Sequence, residues 1–240
     1  MYAFKLDFFL AAACLASSVV AQTKLKIMPL GDSITEITCW RTTVWDDLNA
    51  AGVADKIQFV GSMTNNPQNC KGNSTWDMHH EGHSGYLAID IANKYLVNWL
   101  STTKPDIVMF MLGTNDVAQQ NKGPTEILAA YTKMVGQMRA VTPKVKIIVD
   151  LVIPISFGSS NTGITALNQA IPAWVKSTTT VDSPIVIADC ATGFPTSDLR
   201  DGVHPNAAGD AIISSRIFPV LLKVIQESLG TATTPIAFTA

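Results

Sequence analysis

The stretch LKIMPLGDSIT, residues 25–35, combines the two features that decide the fold of this chain. Its first part, residues 25–30, is an apolar run that ends at turn-forming residues. A run of this kind is typical of a strand buried on both faces of a parallel sheet. The polar residues 31–35 then lie at the carboxyl end of that strand. In open α/β sheets this is the edge at which ligands bind.

Further apolar runs follow the same pattern, and segments with helical spacing separate them. The predicted strands are residues 25–30, 57–60, 107–112, 145–153 and 185–188, and the predicted helices are residues 42–51, 88–100, 125–140, 165–176 and 207–229. Alternation of strand and helix predicts the α/β class, with parallel strands joined by right-handed crossovers. We therefore expect a three-layer α/β/α sandwich around a five-stranded parallel sheet.

Composition excludes several classes of protein. The chain has 240 residues and a formal net charge of −2, and only 15% of its residues are charged. An average soluble domain is about 25% charged. Nucleic-acid binding requires a basic surface, and the sequence has no basic cluster, so no nucleic-acid partner is expected. A chain of this length buries enough surface for one core without a disulfide scaffold.

The first 21 residues have the layout of a secretory signal peptide. One lysine, Lys5, precedes the apolar run 8–20, and small residues end the segment. The run is too short to span about 30 Å of hydrocarbon, so we expect a cleaved leader rather than a membrane anchor. The prediction is a secreted, extracellular protein without membrane association. It would consist of one domain over residues 22–229 and a flexible tail over residues 230–240.

Three cysteines remain after removal of the leader. Cys39 and Cys70 lie in polar, loop-like sequence, whereas Cys190 follows an apolar strand. We therefore predict a disulfide between Cys39 and Cys70 and a buried thiol at Cys190. Closing a loop of about 32 residues would stabilise the fold by roughly 3–4 kcal/mol. Asn73, in the motif Asn-Ser-Thr, is a predicted glycosylation site in the same segment.

Three polar motifs lie at the predicted carboxyl edge of the sheet. They are Gly31-Asp32-Ser33, Gly113-Thr114-Asn115-Asp116 and Asp201-Gly202-Val203-His204-Pro205. Each motif alone is more typical of a helix cap or a turn. Together they supply what nucleophilic catalysis needs, because a serine hydroxyl requires an imidazole to take its proton and a carboxylate to orient that imidazole. The Ser33 backbone N–H and the Asn115 amide are suitable donors to an oxyanion.

In this order the motifs resemble those of the SGNH hydrolases, also called GDSL esterases. The resemblance covers nearly all of the predicted domain and implies a flavodoxin-like catalytic domain without metal or other cofactor. It implies that Ser33 is the nucleophile, that His204 is the base and then the acid, and that Asp201 orients His204. It also implies that Asn115 and a loop glycine stabilise the oxyanion. Gly85 fits the family pattern better than Gly82, and Gly82 remains an alternative.

A narrower resemblance points to a substrate. Residues 34–36, Cys39-Trp40-Arg41, Val60-Gly61-Ser62 and residues 80–85 are similar to carbohydrate esterase family three. That resemblance implies an acetylxylan esterase whose partner is an acetylated polysaccharide or oligosaccharide. We expect a monomer, and we predict substrate contacts at Asp32, Trp40, His83 and Tyr86.

Other readings explain less of the sequence. A general short-chain carboxylesterase would use the same catalytic residues on other esters. A non-catalytic carbohydrate-binding protein would use Trp40, Trp76 and Tyr86 as a sugar platform, but it would not need the Ser, Asn and His set. An α/β-hydrolase requires Gly-x-Ser-x-Gly, which is absent.

A zinc hydrolase is a further alternative. It would draw its ligands from His79, His80, Glu81 and His83. This cluster lacks the pair of histidines at i and i+4 on a helix, with glutamate between them, that such enzymes use. We therefore predict no metal site.

Overall fold

The computed structural model describes residues 23–231. The predicted leader, residues 1–21, lies outside this range. So do residues 232–240 of the predicted tail.

A parallel sheet forms the centre of the molecule. Its strands are β1 (Leu25–Gly31), β2 (Ile57–Phe59), β3 (Glu81–Gly82), β4 (Ile107–Met111), β5 (Lys146–Asp150) and β6 (Ile185–Ala188). They follow the order β2-β1-β4-β5-β6, and β3 pairs with the end of β1. The parallel sheet and the five predicted strands are confirmed, although β5 ends at Asp150 rather than residue 153. The sixth strand, β3, was not predicted, because two residues cannot show an apolar run.

Helices cover both faces of the sheet and complete the predicted three-layer sandwich. They are α1 (Ser33–Glu36), α2 (Trp40–Ala50), α3 (Ala88–Asp90), α4 (Leu96–Thr103), α5 (Thr114–Gln120), α6 (Pro124–Val141), α7 (Gly158–Thr178) and α8 (Ala207–Ser228). Helix α2 packs against α8, and α6 packs against α3, α4 and α7. Short 3-10 turns occupy Ala54–Lys56 and Thr196–Asp198.

Besides α7, which begins at Gly158 rather than at residue 165, two segments differ from what the sequence predicts. Residues 88–100, predicted as one helix, consist of α3, a π-helical turn at Ile91–Tyr95 and the start of α4. The motif at residues 113–116, where a turn was the simpler expectation, begins α5, with Gly113 as its N-cap at φ 105°. In both places the feature is about one helical turn long, which is too short for the spacing of apolar residues to reveal it.

The strands bury apolar side chains on both faces and present polar residues at their carboxyl ends. All five residues of β4 are buried, as are the last five of β1. Because the strands are parallel, the residues that follow β1, β4 and β5 meet at one edge of the sheet. This edge carries the predicted site.

The predicted disulfide between Cys39 and Cys70 is present, and Cys190 is a buried free thiol. The bridge ties the loop before β3 to the start of α2. The Asn73 side chain in this loop donates a hydrogen bond to Asp46 Oδ1 at 2.7 Å. Its glycosylation remains a prediction.

None of the helices within residues 23–231 combines the length and apolar character needed to cross a membrane.

Candidate active site

Ser33 lies at the turn between the first strand and α1. The Asp32 side chain caps this helix by accepting a hydrogen bond from Ile34 N at 2.9 Å. A Cβ on Gly31 would lie 2.1 Å from Thr35 Oγ1 and 3.1 Å from Met111 O, so only glycine fits there. The tight turn brings the Ser33 hydroxyl to the carboxyl edge of the sheet, with its backbone N–H at the first position of α1.

His204 connects Ser33 to Asp201. Its Nε2 lies 2.8 Å from Ser33 Oγ, and its Nδ1 lies 2.8 Å from Asp201 Oδ2. A carboxylate only accepts hydrogen bonds, so Nδ1 carries the proton and the Nε2 of the neutral ring accepts from the serine hydroxyl. The three residues that the sequence singled out are therefore joined in one hydrogen-bonded chain.

Asp201 is held as a carboxylate. Partial burial raises its pKa, but hydrogen bonds from the backbone and ring of His204 and from Val203 N outweigh this and lower the pKa to about 2. The Arg200 side chain contributes a positive charge nearby, since its Nε lies 3.7 Å from Asp201 Oδ2. The charge persists at neutral pH, so Asp201 can orient the imidazole and stabilise its protonated form.

The Asn115 amide lies beside the capping carboxylate of α1. Its Nδ2 donates to Tyr86 O at 3.0 Å and to Asp32 Oδ2 at 3.3 Å, while its Oδ1 accepts from Gln119 Nε2 at 2.8 Å. These three contacts fix the orientation of the amide.

The structure separates the two glycine candidates. Gly82 is buried in β3, its N–H donates to His80 Nδ1 at 3.1 Å, and a Cβ there would lie 2.7 Å from Glu36 N. Gly85 is exposed, has φ +81°, and has no atom within 4 Å of the position of a Cβ. Because the Gly82 N–H already has a partner and Gly85 has open space beside it, Gly85 remains the predicted oxyanion donor.

Two of the four predicted substrate contacts are wrong. Trp40 is 2% exposed, and its indole N–H donates to Ile34 O at 2.9 Å. Asp32 is 1% exposed, and its carboxylate bonds to α1 and to Asn115. Neither side chain is accessible to a substrate. His83 and Tyr86 are half-buried, and their rings stack with centroids 4.9 Å apart.

The histidines near β3 serve different partners. His79 Nδ1 lies 2.6 Å from Asp77 Oδ1, and His83 Nε2 lies 2.6 Å from Glu81 Oε1. Burial and the nearby Arg41 charge lower the pKa of His80 to about 3, so its ring is neutral. Among residues 23–231, no three His, Cys, Asp or Glu side chains are grouped as metal ligands.

Arg41 is a residue whose role the sequence did not reveal. Arg41 is 1% exposed, and its guanidinium donates to Thr35 O at 2.7 Å, Glu36 O at 3.2 Å and Met78 O at 3.3 Å. It thus satisfies the carbonyl groups at the carboxyl end of α1, where a positive charge also favours the helix dipole. Its only sequence signal was its place in the motif Cys39-Trp40-Arg41.

Buried carboxyl groups lie beneath the site. Burial, with a smaller contribution from the Asp116 charge, raises the pKa of Asp32 to about 7. Burial also raises the pKa of Asp116, which accepts from Ala88 N and Ile89 N. Asp150, at the end of β5, has a pKa of about 8 because it is buried, and within the described chain its Oδ1 has no hydrogen-bond partner.

Comparisons with known proteins agree with this geometry. The model of the GDSL-like lipase/acylhydrolase family matches residues 30–212. The chain is 50% identical to a carbohydrate esterase family 3 protein from Talaromyces cellulolyticus, with TM-score 0.82, over 85% of this chain and 99% of that one. It is 49% identical, with the same TM-score and coverage, to an acetyl esterase serine-to-alanine mutant crystallised with acetate ion.

A curated relative is much longer than this chain. It is a multidomain esterase of Ruminococcus flavefaciens, 28% identical over 77% of this chain but only 27% of its own length. The match of the family model covers most of the chain, so the chain belongs to the GDSL-like lipase/acylhydrolase family.

The buried Asp150 makes stability depend on pH. Its pKa is about 8 in the folded protein against an ordinary 3.8, so between these values the folded protein keeps a proton that the unfolded chain has released. The free energy of unfolding should therefore fall as pH rises through this interval, by up to about 1.4 kcal/mol per pH unit from this group. Asp150→Asn should flatten the fall between pH 5 and pH 8, as measured by chemical denaturation.

Asp182→Asn is the matched control, because it removes one carboxylate from an exposed loop position. It should leave the pH dependence of unfolding as in the wild type. Equal slopes for the wild type and Asp150→Asn would contradict the assignment of a proton to Asp150.

Proposed function

We propose that this member of the GDSL-like lipase/acylhydrolase family is a secreted serine esterase that removes acetyl groups from xylan or related hemicellulose. The observation that carries the proposal is the position of His204, 2.8 Å from both Ser33 Oγ and Asp201 Oδ2. Distances of this size are within the reach needed for proton transfer.

In the first half of the reaction, Ser33 Oγ attacks the acetyl carbon while His204 Nε2 takes the hydroxyl proton. Asp201 stabilises the imidazolium that results. The negative oxygen of the tetrahedral intermediate accepts hydrogen bonds from the backbone N–H groups of Ser33 and Gly85 and from the Asn115 amide. His204 then returns the proton to the sugar oxygen as the carbon–oxygen bond breaks. The acetyl group remains on Ser33.

In the second half, water replaces the sugar. His204 takes a proton from the water molecule as the water oxygen attacks the acetyl carbon of the acyl-enzyme. The tetrahedral intermediate collapses, the bond to Ser33 Oγ breaks, and His204 returns the proton to Oγ. Acetate leaves and the free enzyme is restored. Every proton taken by His204 is thus given back within the same half-reaction.

The substrate class is supported by relatives and by sequence. The two solved relatives that are about half identical to this chain are described as a carbohydrate esterase and an acetyl esterase. The resemblance at residues 34–36, 39–41 and 80–85 points in the same direction. A low content of charged residues, 15%, suits a largely neutral polymer.

Two features support secretion. Residues 1–21 have the layout of a signal peptide, and disulfides such as Cys39–Cys70 persist in oxidising compartments. We further propose that the enzyme acts as a monomer, since Ser33, Asp201 and His204 all come from one chain.

Replacement of Ser33 tests the nucleophile and the substrate together. Ser33→Ala should abolish release of acetate from acetylated xylan, because it removes the hydroxyl that lies 2.8 Å from His204 Nε2. Ser215→Ala is the matched control, since Ser215 is exposed on α8 and its hydroxyl donates within that helix to Ile212 O; this variant should keep wild-type activity. Full activity of Ser33→Ala would exclude the nucleophile, and a wild-type preference for p-nitrophenyl butyrate over acetylated xylan would indicate a general short-chain esterase.

The Asn115 amide should act on the transition state. Asn115→Ala should lower kcat by roughly 10²–10³-fold, about 2.7–4 kcal/mol, because one oxyanion donor is lost. Steady-state kinetics on p-nitrophenyl acetate measure this, with Asn49→Ala, an exposed asparagine of α2, as the control. An increase in KM with unchanged kcat would assign Asn115 to binding instead.

A further inference from the structure

We infer that a cluster of four aromatic rings beside Ser33 is the platform on which a sugar ring of the substrate stacks. The platform consists of His83, Tyr86, Tyr95 and Trp99. The inference rests on the proposed function, since it names the part of the same site that holds the carbohydrate. It also replaces the set Trp40, Trp76 and Tyr86, of which Trp40 is buried.

The four rings form one contiguous group with interplanar angles between 8° and 34°. The centroid of His83 lies 4.5 Å from that of Trp99 at an interplanar angle of 8°, and 4.9 Å from that of Tyr86 at 22°. Tyr95 lies 4.9 Å from Tyr86 and 5.6 Å from Trp99, the latter at 15°. All four side chains are half-buried. The cluster is therefore packed on itself and still reaches solvent.

The platform adjoins the reacting groups. His83 N donates to Gly31 O at 3.0 Å, directly before the Asp32-Ser33 turn. Tyr86 O accepts from Asn115 Nδ2 at 3.0 Å. Gly85 lies between His83 and Tyr86 in the chain and has open space beside it. The backbone of residues 83–86 therefore connects the platform directly to the Ser33 turn and to Asn115.

A buried carboxylate fixes the His83 ring. Glu81 is fully buried, and its Oε1 lies 2.6 Å from His83 Nε2. The same carboxylate accepts from Ser62 N at 2.8 Å and from Ser62 Oγ at 2.6 Å. These hydrogen bonds hold the orientation of the Glu81 carboxylate, which in turn holds the orientation of the His83 ring. A preorganised ring surface loses little conformational entropy on binding.

The π-helical turn at Ile91–Tyr95 is the second feature that serves the platform. It interrupts the segment between α3 and α4, and its last residue is Tyr95. Trp99 follows four residues later on α4, so the Tyr95 and Trp99 rings lie on one side of this helical segment, while Leu96 and Leu100 face the core and are buried. π-helical turns are rare in proteins. Those that do occur are frequently found at functional sites.

The chemistry of these rings suits a sugar. The C–H groups of a pyranose face are apolar and flat enough to lie on an aromatic ring, while the phenolic hydroxyl and indole N–H offer hydrogen bonds at the edge. Binding sites of this type combine an aromatic lining with a few polar groups. A small acetate ester without a sugar needs none of these contacts, which gives the inference a direct test.

The test compares two esters on a set of variants. Trp99→Leu, on α4, and Tyr95→Leu, at the end of the π-helical turn, keep apolar bulk but remove the flat ring. Phe218→Leu is the matched control on α8, where Phe218 is also half-buried. Acetylated xylo-oligosaccharides and ethyl acetate are the substrates. Loss of one stacked ring should raise KM for the oligosaccharide by about 2–10-fold. Hydrolysis of ethyl acetate should stay within about twofold of wild type, as should both activities of Phe218→Leu.

Two results would overturn the platform. One is an unchanged KM for the oligosaccharide in both Trp99→Leu and Tyr95→Leu. The other is an equal loss on both esters, because the rings would then support the fold or the chemistry rather than the sugar. Failure of the proposed function is visible separately, as wild-type enzyme that hydrolyses ethyl acetate but no acetylated oligosaccharide.

Discussion

The hydrogen bond between His204 Nε2 and Ser33 Oγ is the contact on which the site depends, and it joins residues 171 positions apart in the chain. Ser33 follows the first strand, whereas His204 precedes the last long helix. The loop that carries His204 is fixed at several points: Arg200 N donates to His204 O at 2.8 Å and Asn206 N to Asp198 O at 2.7 Å. The 2.8 Å contact therefore requires both the turn after β1 and the loop before α8 to be held in place.

The serine side of this contact is fixed by the two ends of α1. Asp32 caps the amino end, and Arg41, Trp40 and Thr38 all donate to carbonyl groups at its carboxyl end. A four-residue helix would not be stable alone, since helix nucleation costs more than so few hydrogen bonds return. Buried polar side chains from α2 supply the missing partners. The Arg41 charge near Glu36 and the helix terminus is thus part of what holds the nucleophile.

The sequence predicted the layers, the five main strands and the residues that meet at the sheet edge, because buried parallel strands have continuous apolar runs and their carboxyl ends converge. It also predicted the Cys39–Cys70 bridge from the polarity of the two segments. It did not predict β3 or the π-helical turn, which are shorter than any periodicity. The sequence also led to predicted substrate contacts at Trp40 and Asp32, which are buried. Residue type alone does not reveal whether a side chain near a site points into solvent or into the protein.

In the proposed reaction the Ser33 hydroxyl, activated by His204, becomes covalently modified. Incubation of the folded enzyme with an organophosphate ester that reacts with activated serines, followed by peptide mapping by mass spectrometry, detects this modification. We expect one adduct, on Ser33, that is lost when His204 is replaced by alanine. An adduct on another residue, or equal labelling of Ser33 without His204, would contradict it.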